Sequence, residues 1–279
     1  MFYGNDSTNP LGCDLRVICG ELLTRIRNRH PLVHHITNFV VMNDTANATL
    51  ALGATPVMAH AQAEVAEMVG MANALVLNPG TLTADWVAAM LIAGRRANKI
   101  GVPVIYDPVG VGATKLRTTT GQRFLKSLHL AVIRGNSGEI GALAGAGGVV
   151  RGVDSVTGVA DPLRVAQTLA RRYATVVAIT GPRDLVSDGR RALGIDNGHA
   201  WLQTITGSGC MATTAIAAFC AVTPDPLVAT AAALACYGLA AEHAARRARG
   251  PGSFRSELLD ALYQLTPAQI KTGVRIIEF

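Results

Sequence analysis

Three short segments carry residue types suited to handling phosphate. Thr206-Gly207-Ser208-Gly209-Cys210-Met211 leads small side chains straight into a long apolar stretch. Glycine lets backbone approach a ligand closely, and the free amides at a helix start point outward. Together they make an anion cradle fit for a phosphoryl group. The segment is neither a Walker A loop, since no Gly-Lys-Ser/Thr follows, nor a G-x-G-x-x-G fingerprint. Read for packing alone, it is a glycine turn capping a buried helix, with Cys210 as a small core residue. Asn136-Ser137-Gly138-Glu139 follows a strand-like run and opens a helix. It reads either as a capping box or as a carboxylate for Mg²⁺, an ion that keeps several waters and takes one or two carboxylates. Asp107 follows Val104-Ile105-Tyr106 and precedes Pro108 and Gly110. It either shares that ion or closes its strand as an Asx turn. His34 and His35 lack a second histidine at helical spacing, so they do not read as a zinc pair; one packed and one polar imidazole is the expectation.

Residues of this kind need a scaffold that brings them to one end. Strand-like runs at 74–78, 104–106, 130–134 and 175–179 alternate with helical stretches. Thr83 is the expected N-cap of a helix reaching about Asn98, and Asp161-Pro162 opens another that runs to Tyr173. Ser187-Asp188-Gly189-Arg190 predicts a hairpin turn, and beyond about residue 209 the chain reads as nearly all helix. Alternation of this type predicts an α/β fold, a mostly parallel sheet with helices on both faces. In such sheets ligands gather at the carboxyl ends of the strands, where the polar and glycine-rich segments fall.

Composition excludes several classes. The chain has 279 residues, 49% hydrophobic and 16% charged, which is not the composition of a disordered chain. The net charge is +6, but the arginines come in short pairs (Arg95-Arg96, Arg171-Arg172, Arg190-Arg191, Arg246-Arg247 with Arg249) that read mostly as helix ends, not as a nucleic-acid surface. A modest positive field suits an anionic substrate. The five cysteines, Cys13, Cys19, Cys210, Cys220 and Cys236, form no C-x-x-C, as in a reduced cytoplasmic protein. The stretch 1–14 is polar and reads as a loose tail, not a signal peptide. Apolar stretches 210–223 and 226–241 are too short to span a bilayer and read as buried helices.

Taken together, the segments resemble the hydroxyethylthiazole kinase family, thiamine-salvage enzymes of the ribokinase-like fold. The resemblance runs from about residue 20 to 265. It is carried by His34-His35-Ile36-Thr37-Asn38-Phe39-Val40, Ala51 to Met58, Asn78-Pro79-Gly80-Thr81-Leu82, Asp107 to Thr114, Arg134 to Ile140, Gly152-Val153-Asp154-Ser155, Gly207 to Met211 and Gly250-Pro251-Gly252-Ser253-Phe254. It implies one ribokinase-like α/β domain over 1–279, using ATP and Mg²⁺ to phosphorylate the hydroxyl of 4-methyl-5-(2-hydroxyethyl)thiazole in the cytoplasm. It implies that Met58 and Asn38 contact the thiazole alcohol, with Gly207 and Gly209 lining the substrate and phosphate site. Arg117 and Thr180 would hold ATP, Asp107 and Glu139 would serve Mg²⁺, and Cys210 would stand where most enzymes of this fold carry a catalytic Asp. A homotrimer with active sites between subunits is implied as well. Two rivals are a lyase of the same fold that repairs hydrated nicotinamide nucleotides, which carries an acidic residue at the Cys210 position, and a thiazole-binding protein without turnover.

Overall fold

The computed structural model describes residues 14–145, 149–151, 154–157 and 160–279. The polar tail expected over 1–14, apart from Asp14, lies outside these residues, as do Cys13, Gly152 and Val153.

Apolar runs of three to five residues form the strands β1 (Leu32–Ile36), β2 (Thr55–Val57), β3 (Ala74–Leu77), β4 (Val104–Tyr106), β5 (Val132–Asn136) and β8 (Val176–Thr180). These pair in parallel in the spatial order β8-β5-β4-β3-β1-β2. Beyond β8 the sheet turns antiparallel through β9 (Asp184–Ser187), β10 (Ala192–Ile195) and β11 (Ile276–Glu278), giving nine strands among the described residues. A separate two-stranded ribbon joins β6 (Val149–Arg151) to β7 (Asp154–Thr157). The predicted turn at Ser187–Arg190 does join β9 to β10. β11 departs from the all-helical expectation for the C-terminal part. Three residues are too few to show a period, and the strand exists because the free edge of β10 supplies its hydrogen bonds.

Helices cover both faces. α1 (Leu15–Arg29), α2 (Met42–Leu52), α8 (Ser208–Cys220), α9 (Pro226–Arg247), α10 (Pro251–Gln264) and α11 (Pro267–Gly273) share one apolar core. α3 (Val65–Met71), α4 (Ala84–Ile100), α5 (Lys115–Ser127), α6 (Ser137–Ala144) and α7 (Pro162–Tyr173) share the other. Local chemistry sets their starts. Thr83 accepts from the Trp86 amide, Asp161 from that of Arg164, and Asp225 from those of Leu227 and Val228, with Pro226 at the first helical position. Of the arginine pairs, Arg171-Arg172 and Arg246-Arg247 do end helices. Arg95-Arg96 lies inside α4, and Arg191 in the hairpin turn bridges Asp188 and Asp225. α9 is long and apolar enough to cross a membrane, but 89% of its most apolar window is buried inside the protein.

Both His34 and His35 are buried, which corrects the expectation of one polar imidazole. β1 sits between β2 and β3 with helices on either face, so alternation hands one ring to each layer. His34 Nε2 lies 2.7 Å from the Ala59 carbonyl, which only accepts, so this nitrogen carries the proton. His35 Nε2 lies 3.3 Å from Thr49 Oγ, whose own hydrogen goes to the Thr45 carbonyl at 2.7 Å. Burial, with His34 next to it, pushes the His35 pKa down from 6.5 to about 3. The unfolded chain therefore binds a proton between these values that the folded chain refuses. The stabilisation is complete above pH 6.5 and is lost as pH falls from 6.5 towards 3. The slope is about 1.4 kcal/mol per pH unit. His35→Gln, whose amide can still reach Thr49, should flatten the fall of urea-unfolding free energy between pH 6.5 and 5 by about that slope. Equal slopes for the two proteins would show that His35 does not titrate in this way.

Candidate active site

The parallel strands deliver their carboxyl ends to one rim. There Asn38 follows β1, Met58 follows β2, Asn78 follows β3 and Asp107 follows β4, while Arg134 and Thr180 lie near the ends of β5 and β8. The start of α8 crosses this rim. Its N-cap is Gly207, in the left-handed region at φ 79°, where a side chain would be strained. α8 is thus a helix that begins on glycine with its first amides unfilled by a side-chain cap, the arrangement expected of an anion cradle.

A continuous set of polar contacts joins these residues. Thr213, one turn along α8 from Gly209, donates to Asp107 Oδ2 at 2.8 Å. Asn78 Nδ2 donates to the same oxygen at 3.3 Å and to Cys210 Sγ at 3.2 Å. Asn38 Nδ2 donates to Asn78 Oδ1 at 2.9 Å and reaches Cys210 Sγ at 3.8 Å. Arg134 lies 3.7 Å from Asp107 Oδ2 and donates to the Thr180 hydroxyl at 2.5 Å. Gly209 lies flush on that guanidinium, because an added Cβ would sit 2.5 Å from Arg134 Nη1. Glu139 satisfies the structural reading in full: Asn136 and Glu139 form a reciprocal capping box. Its Oε1 also accepts from the Gly110 amide at 2.8 Å, which ties α6 to the loop after β4. Cap and site carboxylate are therefore compatible, since each oxygen keeps a second lone pair.

Electrostatics distinguish the acids. Burial, and then the Asp107 charge, push the Glu139 carboxyl up to about 7, against two backbone donors and Arg134. Asp107 is also raised, by burial, with Arg134 and Thr213 opposing. Its Oδ1 is buried with no hydrogen-bond partner among the described residues. A buried acceptor without a donor is costly, and a hard cation with its waters would relieve it. No group of three or more His, Cys, Asp or Glu side chains surrounds a point among the described residues. The donor set thus suits Mg²⁺ held by one or two carboxylates and not a fully protein-caged metal. For Cys210, burial pushes the thiol up to about 12, with Asp107 adding to the rise and Asn78, Arg134 and Asn38 opposing it.

Arg117 lies on the same rim, against the loops after β3 and β4. Its guanidinium donates to the carbonyls of Pro79 (3.3 Å), Val109 (2.9 Å) and Gly80 (2.6 Å). It braces these loops with three of the five N–H donors of a guanidinium. The cation that meets Asp107, Thr180 and Gly209 is Arg134, to which sequence reading gave no role. Its signal was present in Val132-Ile133-Arg134-Gly135, a charge inside a central apolar strand, which burial disfavours unless it is paired. Asn38 is 4% exposed and faces Asn78 and Cys210, so it stands behind the sulfur. Met58 stays at the outer edge of the rim, partly exposed.

The profile of the hydroxyethylthiazole kinase family matches residues 23–268. The chain belongs to the hydroxyethylthiazole kinase family. A hydroxyethylthiazole kinase of Desulforudis audaxviator is 65% identical over 263 residues, covering 94% of this chain and 96% of the relative. The solved hydroxyethylthiazole kinase of Pyrococcus horikoshii OT3 superposes with a TM-score of 0.86 at 45% identity, over 94% of this chain and 99% of that one. A ribokinase-like superfamily protein from Enterococcus faecalis V583, at 14% identity and a TM-score of 0.63, shares the fold over 86% of this chain and 89% of its own. The ribokinase-like sheet of this kinase is therefore the scaffold on which the Asp107–Cys210–Arg134 rim is built.

Proposed function

We propose that the protein transfers the γ-phosphoryl group of ATP to the hydroxyl of 4-methyl-5-(2-hydroxyethyl)thiazole, giving the thiazole phosphate and ADP in thiamine salvage. The observation that carries this reading is the uncapped start of α8, set against Asp107 on one side and Arg134 on the other. Phosphoryl transfer needs positioning and charge neutralisation more than covalent chemistry, and this rim supplies both. The amides after Gly207 receive the phosphoryl oxygens, Gly207 and Gly209 allowing the close approach. Arg134 stands beside the phosphates with Thr180 fixing its guanidinium, and Arg117, with donors beyond its three carbonyl contacts, holds ATP. Asp107 and Glu139 would hold Mg²⁺, which supplies charge neutralisation at the phosphates when bound. Cys210 remains a neutral thiol beside the attacking hydroxyl; the proton leaves late in a loose transition state, so a strong base is not required. Met58 lines the outer, apolar side of the thiazole pocket, and Asn38 acts through the residues in front of it.

The finer assignments follow from the same rim. One domain is supported by the single nine-stranded sheet. A homotrimer with sites between subunits is supported by Phe39, Val40 and Leu116, which are 58%, 62% and 62% exposed and follow Asn38 or precede Arg117 in the chain. Cytoplasmic action is supported by the free thiols of Cys19, Cys210, Cys220 and Cys236. The test is incubation of purified protein with ATP, Mg²⁺ and the thiazole alcohol. Mass spectrometry should find the phosphate monoester in step with ADP, and light scattering should find three chains per particle. Absence of the monoester at about millimolar substrate, a level at the upper end of ordinary KM values, would refute the reaction; a monomer would refute the assembly.

A further inference from the structure

The two asparagines at the site have their orientation fixed by backbone donors. Gly80 N–H donates to Asn78 Oδ1 at 3.1 Å and Val40 N–H to Asn38 Oδ1 at 3.1 Å. An amide N–H cannot accept, so the carbonyl oxygen of each side chain must face its backbone partner. The NH₂ groups are left with no choice. That of Asn78 spans Asp107 Oδ2 and Cys210 Sγ; that of Asn38 spans Asn78 Oδ1 and the same sulfur. Asn78 is 1% exposed and Asn38 4%, whereas Cys210 is only partly buried by its whole-residue exposure. The sulfur therefore has buried N–H donors behind it and the rim in front.

A thiol sulfur has one hydrogen and weak acceptor capacity. Here the acceptor capacity faces two amides, and no acceptor for the S–H occurs among the described residues. We propose that Asn78 is a positioning residue for Cys210: with Asn38 it fills the acceptor side of the sulfur and so turns the S–H outward, to donate to the oxygen of the substrate hydroxyl. The inference rests on the reading that Cys210 adjoins that hydroxyl. Asn78 touches no reacting atom. It acts by fixing which way the thiol points, and its second N–H locks this direction to the Asp107 carboxylate across the rim. The alcohol oxygen, receiving the S–H, is held with its remaining lone pair available for the phosphorus; as the O–P bond forms and the bond to ADP breaks, the hydroxyl proton passes late to an oxygen of the transferred phosphoryl group.

A double-mutant cycle separates this role from simple packing. The parameters are kcat and KM for the thiazole alcohol in the full-length protein, Asn78→Ser, Cys210→Ala and the double variant. Asn78→Ser should lower kcat by about tenfold to a hundredfold, the scale of one lost hydrogen bond in a dry site, with KM changed less than about threefold. In the Cys210→Ala background the same change should cost at least about tenfold less than it does alone, because the sulfur it orients is gone. If the two losses simply multiply, Asn78 does not act through Cys210 and the proposal fails, while the placement of Cys210 stands. If Cys210→Ala keeps wild-type kcat, the placement of Cys210 fails and takes the proposal with it. Should Asn78→Ser lack native circular dichroism, the cycle is run with Asn38→Ser, which removes the other donor to the sulfur without touching Asp107. Coupling to Cys210 is expected there too, and its absence overturns the proposal equally.

Discussion

Asp107→Asn is expected to lower kcat about a thousandfold while leaving the unfolding midpoint unchanged or raised. The catalytic side follows from charge: an ion clamp on the phosphates is worth several kcal/mol of transition-state stabilisation, and about 4 kcal/mol is three decades of rate. The stability side follows from what the carboxylate lacks. It is 1% exposed, its Oδ1 has no partner, and its nearest cation is 3.7 Å away. Burying a charge so thinly compensated costs free energy. The amide keeps one oxygen for Thr213 and Asn78 and removes the charge. A protein that gains stability by losing a buried carboxylate while losing its activity is showing that the residue is kept for chemistry. The check is thermal unfolding beside steady-state kinetics over a Mg²⁺ titration. A kcat within about threefold of wild type, too small a change for a lost metal carboxylate, would remove Asp107 from the site.

Gly209→Ala should reduce kcat about a hundredfold and raise the KM for ATP, with little loss of stability. The added methyl would lie 2.5 Å from Arg134 Nη1 and 2.9 Å from Nη2. Those atoms end a flexible side chain, so the fold can yield by moving them. Yielding takes the guanidinium off Thr180 and away from Asp107, which is where a phosphate would meet it. Gly209→Val, bulkier at the same point, should be worse. Gly207→Ala offers the contrast: its φ of 79° and a Cβ position 2.8 Å from Val41 Cγ1 strain the backbone itself, so it should cost roughly 1–3 kcal/mol of stability as well as rate. Kinetics and melting curves of the three folded variants decide the matter. A Gly209→Ala enzyme with wild-type kcat and KM would show that Arg134 does not need its present position.

Much of this protein was legible from residue order alone. Alternating apolar runs and capped helices are local signals, so β3, β4, α4 and α7 start where Ala74, Val104, Thr83 and Asp161 place them, and β8 (Val176–Thr180) lies one residue beyond the run expected over 175–179. Polar residues just after strands marked Asn78, Asp107 and Thr180, because the ends of parallel strands are where a buried backbone first meets solvent. The motifs also identified the family. Other features depended on contacts between distant segments. That β11 is a strand depends on the edge of β10, about eighty residues earlier in the chain. That His34 and His35 are both buried depends on helices above and below β1. The two arginines make the point most sharply. Both sit in sequences that look fit for phosphate, yet Arg117 commits three of its N–H donors to carbonyls of residues 79, 80 and 109, while Arg134 meets Asp107 and Thr180. Composition and spacing set which residues reach the rim. Which of their hydrogen-bonding groups remain free there is decided by neighbours up to about a hundred residues away, as when Thr213 holds Asp107, and only the folded chain brings those neighbours together.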